Sequence, residues 1–320
     1  MRRVAALLAA VLAAGSLAAC GGDGAEPGAP RGATLVLDFT PNAVHSGIYA
    51  ALARGYYEQV GVELAVREPG ESSDAPKLLE AGRADFAILD IHDLGIARER
   101  GFEVVAVAPI VQRPLASVIV RADGPVRRPR DLEGRSAGVT GLPSDDAVLE
   151  SVVAGDGGDP GRVERVTIGF NAVASLAAGR VEGVTAFWNA EGVALRRSGV
   201  PTRVFRVERF GAPPYPELVL CASAETVRDQ PALVRSVVEA TRRGYRFATR
   251  RPQAALDDLL VAVEGLDPAD QAAQRRALGG ALAPAGFDQE LLRRWAAWDL
   301  RYGILGEPLD VRSAFEEPGD

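Results

Sequence analysis

Asp38, Phe39, Asn42 and His45 all fall within "LVLDFTPNAVHSG" (residues 35–47), which puts a carboxylate, an aromatic ring, an amide and an imidazole around one turn. Such a set can hold a flat polar heterocycle. The ring stacks on an aromatic face, a carboxylate accepts its N–H groups with charge-assisted strength, and an amide serves both donors and acceptors. Comparable groups recur where other apolar runs end. Asp90, His92 and Asp93 lie in "LDIHD", Ser144, Asp145 and Asp146 in "GLPSDD", Phe170 and Asn171 in "IGFNAV", and Phe187, Trp188, Asn189 and Glu191 in "AFWNAEG". Taken singly, each polar residue is explained by turn or helix-cap chemistry. Taken together they point to a cleft, with Trp188 and Phe39 sandwiching a ring, Asp38 and Glu191 accepting from an amino group, and Asn42, Asn171 or Asn189 completing the contacts. His45 remains open between a helix-surface histidine and a ligand contact.

Other chemistries find little to work with. His45 and His92 are the two histidines and Cys20 and Cys221 the two cysteines, and there is no HExxH, CxxC, GxSxG or Walker-type loop. The expectation is no metal and no cofactor. Cys221, inside "ELVLCAS", reads as a small core residue. A net charge of −7 gives no basic footprint for nucleic acid. The two aspartates opening the helix after "GLPSDD" would repel an anion where an oxyanion binder should present bare N–H groups. Arg113 in "VQRPLAS" is the nearest cation, read as a surface or hinge residue or a ligand contact.

The elements that must position these groups follow from the pattern. Short β-rich apolar runs alternate with helical stretches ending in glycine, the mark of an α/β chain with largely parallel sheets. In open α/β sheets ligands bind outside the carboxyl ends of the strands, where all the groups above lie. The first helix is expected to take Thr40 as N-cap with Pro41 at its first position, and Ser144 is expected to cap a later one. At 320 residues two domains are expected. The chain crosses between them twice, so lobe 1 combines residues 33–120 with 216–320 and lobe 2 holds 121–215. The last hundred residues are helical in pattern, with Trp295 and Trp298 packing the C-terminal helix. At the other end, Arg2 and Arg3 precede an apolar run too short to span a membrane, which suits a signal peptide over residues 1–19. "LAAC" then resembles a bacterial lipobox with Cys20 as the lipidated residue, and residues 20–32 read as a flexible tether. The expected location is the extracytoplasmic face of the cell membrane, reached through the lipid anchor only.

In order along the chain, "LDFTPNAVHSGIYAALARGYYEQVGVEL", "LLEAGRADFAI", "DLEGRSAGV", "IGFNAVASLAAGRVEGVTAFWNAEG" and "YPELVLCAS" resemble the pyrimidine-binding branch of type II solute-binding proteins. The likeness covers about residues 34–225. It implies a two-lobed type II periplasmic binding protein with the ligand cleft between lobes. It implies an ABC importer component that is not an enzyme and binds a thiamine pyrimidine precursor, of the formylaminopyrimidine or hydroxymethylpyrimidine type, by hinge closure. Permease and ATPase components are the implied partners, the protein being a monomer. By this resemblance Asp38, Phe39, Asn42 and His45 line the cleft from one lobe and Trp188, Asn189 and Glu191 from the other, with Phe39 standing where the family commonly has Trp. Asp90, His92 and Asn171 join the list by their strand-end positions. Two alternatives are a different flat heteroaromatic such as riboflavin, and the thiamine-pyrimidine synthases that share the fold. The synthases carry a cysteine-rich motif that this sequence lacks.

Overall fold

The structure, a computed structural model, describes residues 30–70 and 74–319. The expected signal peptide, Cys20 and most of the tether lie outside the described residues.

The described residues open with strand β1 (Arg31–Val36), then helix α1 (Ser46–Ala53), β2 (Val62–Arg67), helix α2 (Asp74–Glu80), β3 (Phe86–Asp90), α3 (Ile91–Glu99) and β4 (Val104–Val111). A first crossing at residues 112–115 leads to β5 (Ala116–Arg121), β6 (Ser136–Val139), α4 (Pro143–Gly155), β7 (Glu164–Thr167), α5 (Ala172–Ala177), β8 (Gly183–Phe187), α6 (Glu191–Arg197) and β9 (Thr202–Arg206). A second crossing returns the chain to β10 (Leu218–Ser223). Helices α7 (Ala224–Asp229), α8 (Pro231–Arg250), α9 (Pro252–Ala262), α10 (Pro268–Leu278), α11 (Gln289–Arg301) and α12 (Val311–Ala314) follow.

The strands form two five-stranded sheets, in the orders β2-β1-β3-β10-β4 and β7-β6-β8-β5-β9. The two orders are the same pattern used twice. In each sheet one antiparallel strand, β10 or β5, is the strand that has just arrived from the other lobe. The sheets are therefore mixed, where the sequence pattern suggested largely parallel ones. A strand entering from a crossing arrives at the opposite end of the sheet from one fed by a helix. Because β5 pairs with β8 and β9, the first crossing precedes residue 116, several residues before the expected boundary at 120.

Burial explains the strand sequences. All eight residues of β4 ("VVAVAPIV") are buried, and such strands read as continuous apolar runs. Pro109 within it is tolerated because β4 is an edge strand, where a missing N–H breaks no inner ladder. Across the molecule, α8 buries Leu233, Val234, Val237, Val238, Thr241 and Tyr245 at three- and four-residue spacing, a single helical face. That face meets α1 at very short range. A Cβ on Gly244 would lie 2.0 Å from the Gly47 carbonyl oxygen, so glycine is required there. Tyr245 closes the contact by donating to the Val44 carbonyl at 3.0 Å, which fixes the helix start that carries the first site residues.

Candidate functional site

The strand ends of the two sheets face each other across a cleft enclosing about 930 Å³ of empty space, its open mouth included. Of the residues expected there, Asp38, Phe39, Asn42, Asp90, Asn189 and Glu191 line it. Asp93, Ser144, Asp145, Phe170 and Phe187, from the same strand-end stretches, line it too, and the structure adds Thr140 and Thr185.

On the first wall, β1 delivers Asp38 and Phe39. The helix after them begins later than expected. Asn42, not Thr40, caps a short 3-10 turn (Ala43–His45) that leads into α1: its Oδ1 accepts from the Val44 N–H at 2.9 Å, and its Nδ2 donates to the Thr40 carbonyl at 3.1 Å. Asn42 thus lines the cleft with much of its hydrogen-bonding capacity already used. His45 is fully buried behind it. Its Nδ1 accepts from the Asn42 N–H at 3.1 Å, which places the imidazole proton on Nε2, where it donates to Asp38 Oδ1 at 2.9 Å. His45 therefore orients Asp38 and does not line the cleft, because the capping turn folds the ring inward.

On the facing wall, Asn189 is fully buried, and neither its Oδ1 nor its Nδ2 has a partner. The Glu191 carboxylate accepts from the Phe187 N–H at 3.1 Å. Burial pushes this group up to about 7, the accepted N–H opposes the rise, and Asp145 and Asp38 add to it. Ser144 does not cap α4, whose N-cap is Leu142. Its hydroxyl instead reaches Asp93 Oδ1 at 2.9 Å, from one lobe to the other. Burial raises Asp93 to about 6 against that hydrogen bond. It also raises Asp145, which accepts from the Thr140 N–H at 2.7 Å. Phe39 meets Phe170 edge-on across the mouth, ring centroids 4.5 Å apart.

Three more expectations are corrected. Trp188 points away from the cleft. It is buried at the first crossing, where Nε1 donates to the Pro114 carbonyl at 3.1 Å. The Arg206 guanidinium lies 3.9 Å above its ring, and that of Arg113 lies 5.2 Å away. Adjacent residues of an extended segment face opposite sides, so with Phe187 in the cleft wall Trp188 turns to the hinge. Asn171 is exposed and donates to the Ile168 carbonyl at 3.0 Å, a local turn contact. His92 is buried beneath the cleft floor, its Nδ1 2.8 Å from Asp299 Oδ2 and 3.1 Å from Trp295 Nε1. Burial works against its charge, but Asp299, Asp90 and Asp93 outweigh that and raise it to about 9.

Asp90 caps α3 by accepting from the His92 N–H at 2.8 Å. Behind it lies Glu217, which the sequence reading passed over. Its only signal was a carboxylate opening an otherwise apolar strand. Glu217 is fully buried, and its Oε2 accepts from the Leu115 and Ala116 N–H groups at 2.5 and 3.3 Å, so one crossing holds the other. Burial lifts Glu217 to about 8, against the opposing effect of the Leu115 and Ala116 amides and of Asp90, and it lifts Asp90 well above the carboxylate range, a rise to which Glu217 adds. The lining therefore carries five carboxyl groups, Asp38, Asp90, Asp93, Asp145 and Glu191, and no arginine or lysine among the described residues. Carboxyl groups with no cation among them favour N–H donors over anions.

Two lobes of identical sheet order, joined by two crossings around a cleft at the strand ends, define the type II periplasmic binding protein fold. The alkanesulfonate-binding protein SsuA of Xanthomonas axonopodis pv. citri, bound to MOPS, superposes with a TM-score of 0.75 over 90% of this chain and 99% of its own, at 17% identity. Residues 42–255 match the NMT1/THI5-like family, and the chain belongs to that family. A formylaminopyrimidine-binding protein of Halalkalibacterium halodurans is 31% identical over 71% of this chain and 69% of its own length. A riboflavin-binding protein, RibY, of Chloroflexus aurantiacus is 26% identical over 88% and 84%. A 4-amino-5-hydroxymethyl-2-methylpyrimidine phosphate synthase of Legionella pneumophila is 24% identical over 70% and 71%.

Proposed function

We propose that this protein is the extracytoplasmic, lipid-anchored solute-binding component of an ABC importer, and that its cargo is a thiamine pyrimidine precursor of the formylaminopyrimidine or hydroxymethylpyrimidine type. The observation that carries the reading is Asn189, whose buried carboxamide keeps a donor and an acceptor side by side without partners. An aminopyrimidine presents the complementary pair, an exocyclic N–H beside a ring nitrogen, as an adenine edge does to asparagine. Phe39, Phe170 and Phe187 offer ring faces and edges, and Asp38 or Glu191 takes the remaining N–H. The formylaminopyrimidine-binding relative supports the same class. Binding works by hinge closure, because Phe39–Phe170 and Asp93–Ser144 can both form only when the lobes approach. A synthase role is disfavoured by the cysteine-rich motif that the sequence lacks; Cys221, the cysteine among the described residues, is buried in the core.

The test is a calorimetric titration with formylaminopyrimidine, hydroxymethylpyrimidine, thiamine, riboflavin, taurine and nitrate. Tight binding of one pyrimidine, weakened by Glu191→Ala, is the expected result. Binding of riboflavin alone would move the cargo to that of the RibY relative, and binding of taurine or nitrate would overturn the reading of an acidic cleft.

A further inference from the structure

We propose that Asp90, His92 and Glu217 form a site for one divalent first-row transition-metal ion beneath the cleft floor. One ligand atom from each lies within 4.8 Å of those of the other two. Tetrahedral coordination with metal–ligand bonds of about 2.0–2.2 Å sets ligand atoms roughly 3.3–3.6 Å apart, so the three side chains close in by up to about 1.5 Å to complete the site.

The cluster is more than a group of acids. His92 and Glu217 are both fully buried, and each keeps one atom without a partner. For Glu217 the Leu115 and Ala116 amides occupy Oε2 and leave Oε1 bare. For His92 the Asp299 carboxylate sits on Nδ1 and leaves Nε2 bare. Leaving these two buried polar atoms without partners is costly, and a single cation that takes the place of their protons satisfies both at once. The Asp299–His92 pair has the form that metal-binding histidines adopt: a carboxylate takes the far N–H, sets the tautomer and turns the other nitrogen's lone pair to the metal. Trp295 Nε1 lies 3.1 Å from the same Nδ1, and the carboxylate contact prevails there because it is charge-assisted.

One imidazole and two carboxylates suit zinc, manganese or iron. Calcium and magnesium prefer all-oxygen sites. Asp90 is also a wall of the cleft, so the ion exchanges through the cleft and ties its floor to the Glu217 crossing.

The test uses the metal alone and needs no cargo. The purified protein is stripped with chelator and titrated with Zn²⁺ by calorimetry, then with Co²⁺ by visible absorption. One equivalent is expected to bind, with a Co²⁺ spectrum showing nitrogen coordination. His92→Gln and Glu217→Gln should each weaken binding at least ~100-fold, and Asp299→Asn roughly 10–100-fold. Glu217→Gln keeps an acceptor for the Leu115 and Ala116 amides, and its thermal melt confirms that it folds. A wild-type protein that binds neither ion overturns the proposal and leaves a proton shared by Asp90 and Glu217. Binding undiminished in Glu217→Gln overturns it as well, since the ion would then lie elsewhere.

Discussion

Replacing Asn189 by leucine should stabilise the free protein and weaken its binding of cargo. The two side chains are close in size and shape, so the change removes hydrogen-bonding capacity without opening a cavity. In the free protein both amide atoms are buried without partners, a penalty of roughly 1–3 kcal/mol. Relieving it should raise Tm by about 2–12 °C, at roughly 2–4 °C per kcal/mol for a large domain. In the complex the same change deletes two hydrogen bonds and leaves the ligand's edge unmatched, a loss of about 2–4 kcal/mol or roughly 30- to 1,000-fold in Kd. Thermal melts and calorimetric titration with hydroxymethylpyrimidine, run on the same preparations, measure both. A Tm that falls, together with unchanged affinity, would refute the reasoning, because the amide would then have a structural partner and no role at the ligand.

Glu191 yields a pH signature. Its carboxyl is raised to about 7 chiefly by burial, so between about pH 4.5 and 7 the folded protein holds a proton that the unfolded chain releases. Stability contributed by this group therefore falls as pH rises through that window, by about 3 kcal/mol in total at ~1.4 kcal/mol per pH unit. Glu191→Gln should lack this slope, and denaturant midpoints at pH 5 and 8 for both proteins will show a parallel pH dependence if the carboxyl titrates normally. Trp188 and Phe39 should separate by role. Trp188→Phe loses the hydrogen bond to Pro114 and should lower stability by about 1 kcal/mol, with little direct effect on contacts to the ring. Phe39→Ala should leave stability nearly unchanged and raise Kd by roughly 3- to 10-fold through lost aromatic contact. The opposite ranking in paired melts and titrations would put Trp188 back in the cleft.

Much of this molecule was legible in its residues. Alternating apolar runs and glycine-ended helices made it an α/β chain with two crossings, and strand ends rich in aromatic, amide and carboxylate groups marked where the cleft lies. Asp38, Phe39, Asn189 and Glu191 were all recognisable on that basis. Sequence alone could not say which way Trp188 faces, that His45 serves Asp38, or that Asn171 is spent on a local turn, because one residue's offset along a strand end exchanges cleft for hinge. Nor could it join Asp90 and His92 to Glu217 and Asp299, which are separated by more than a hundred residues and meet only where β3, β10 and α11 pack together. Local periodicity sets which residues lie at strand ends. Only the packing of distant elements decides which buried polar atoms find partners and which are left to bind something else.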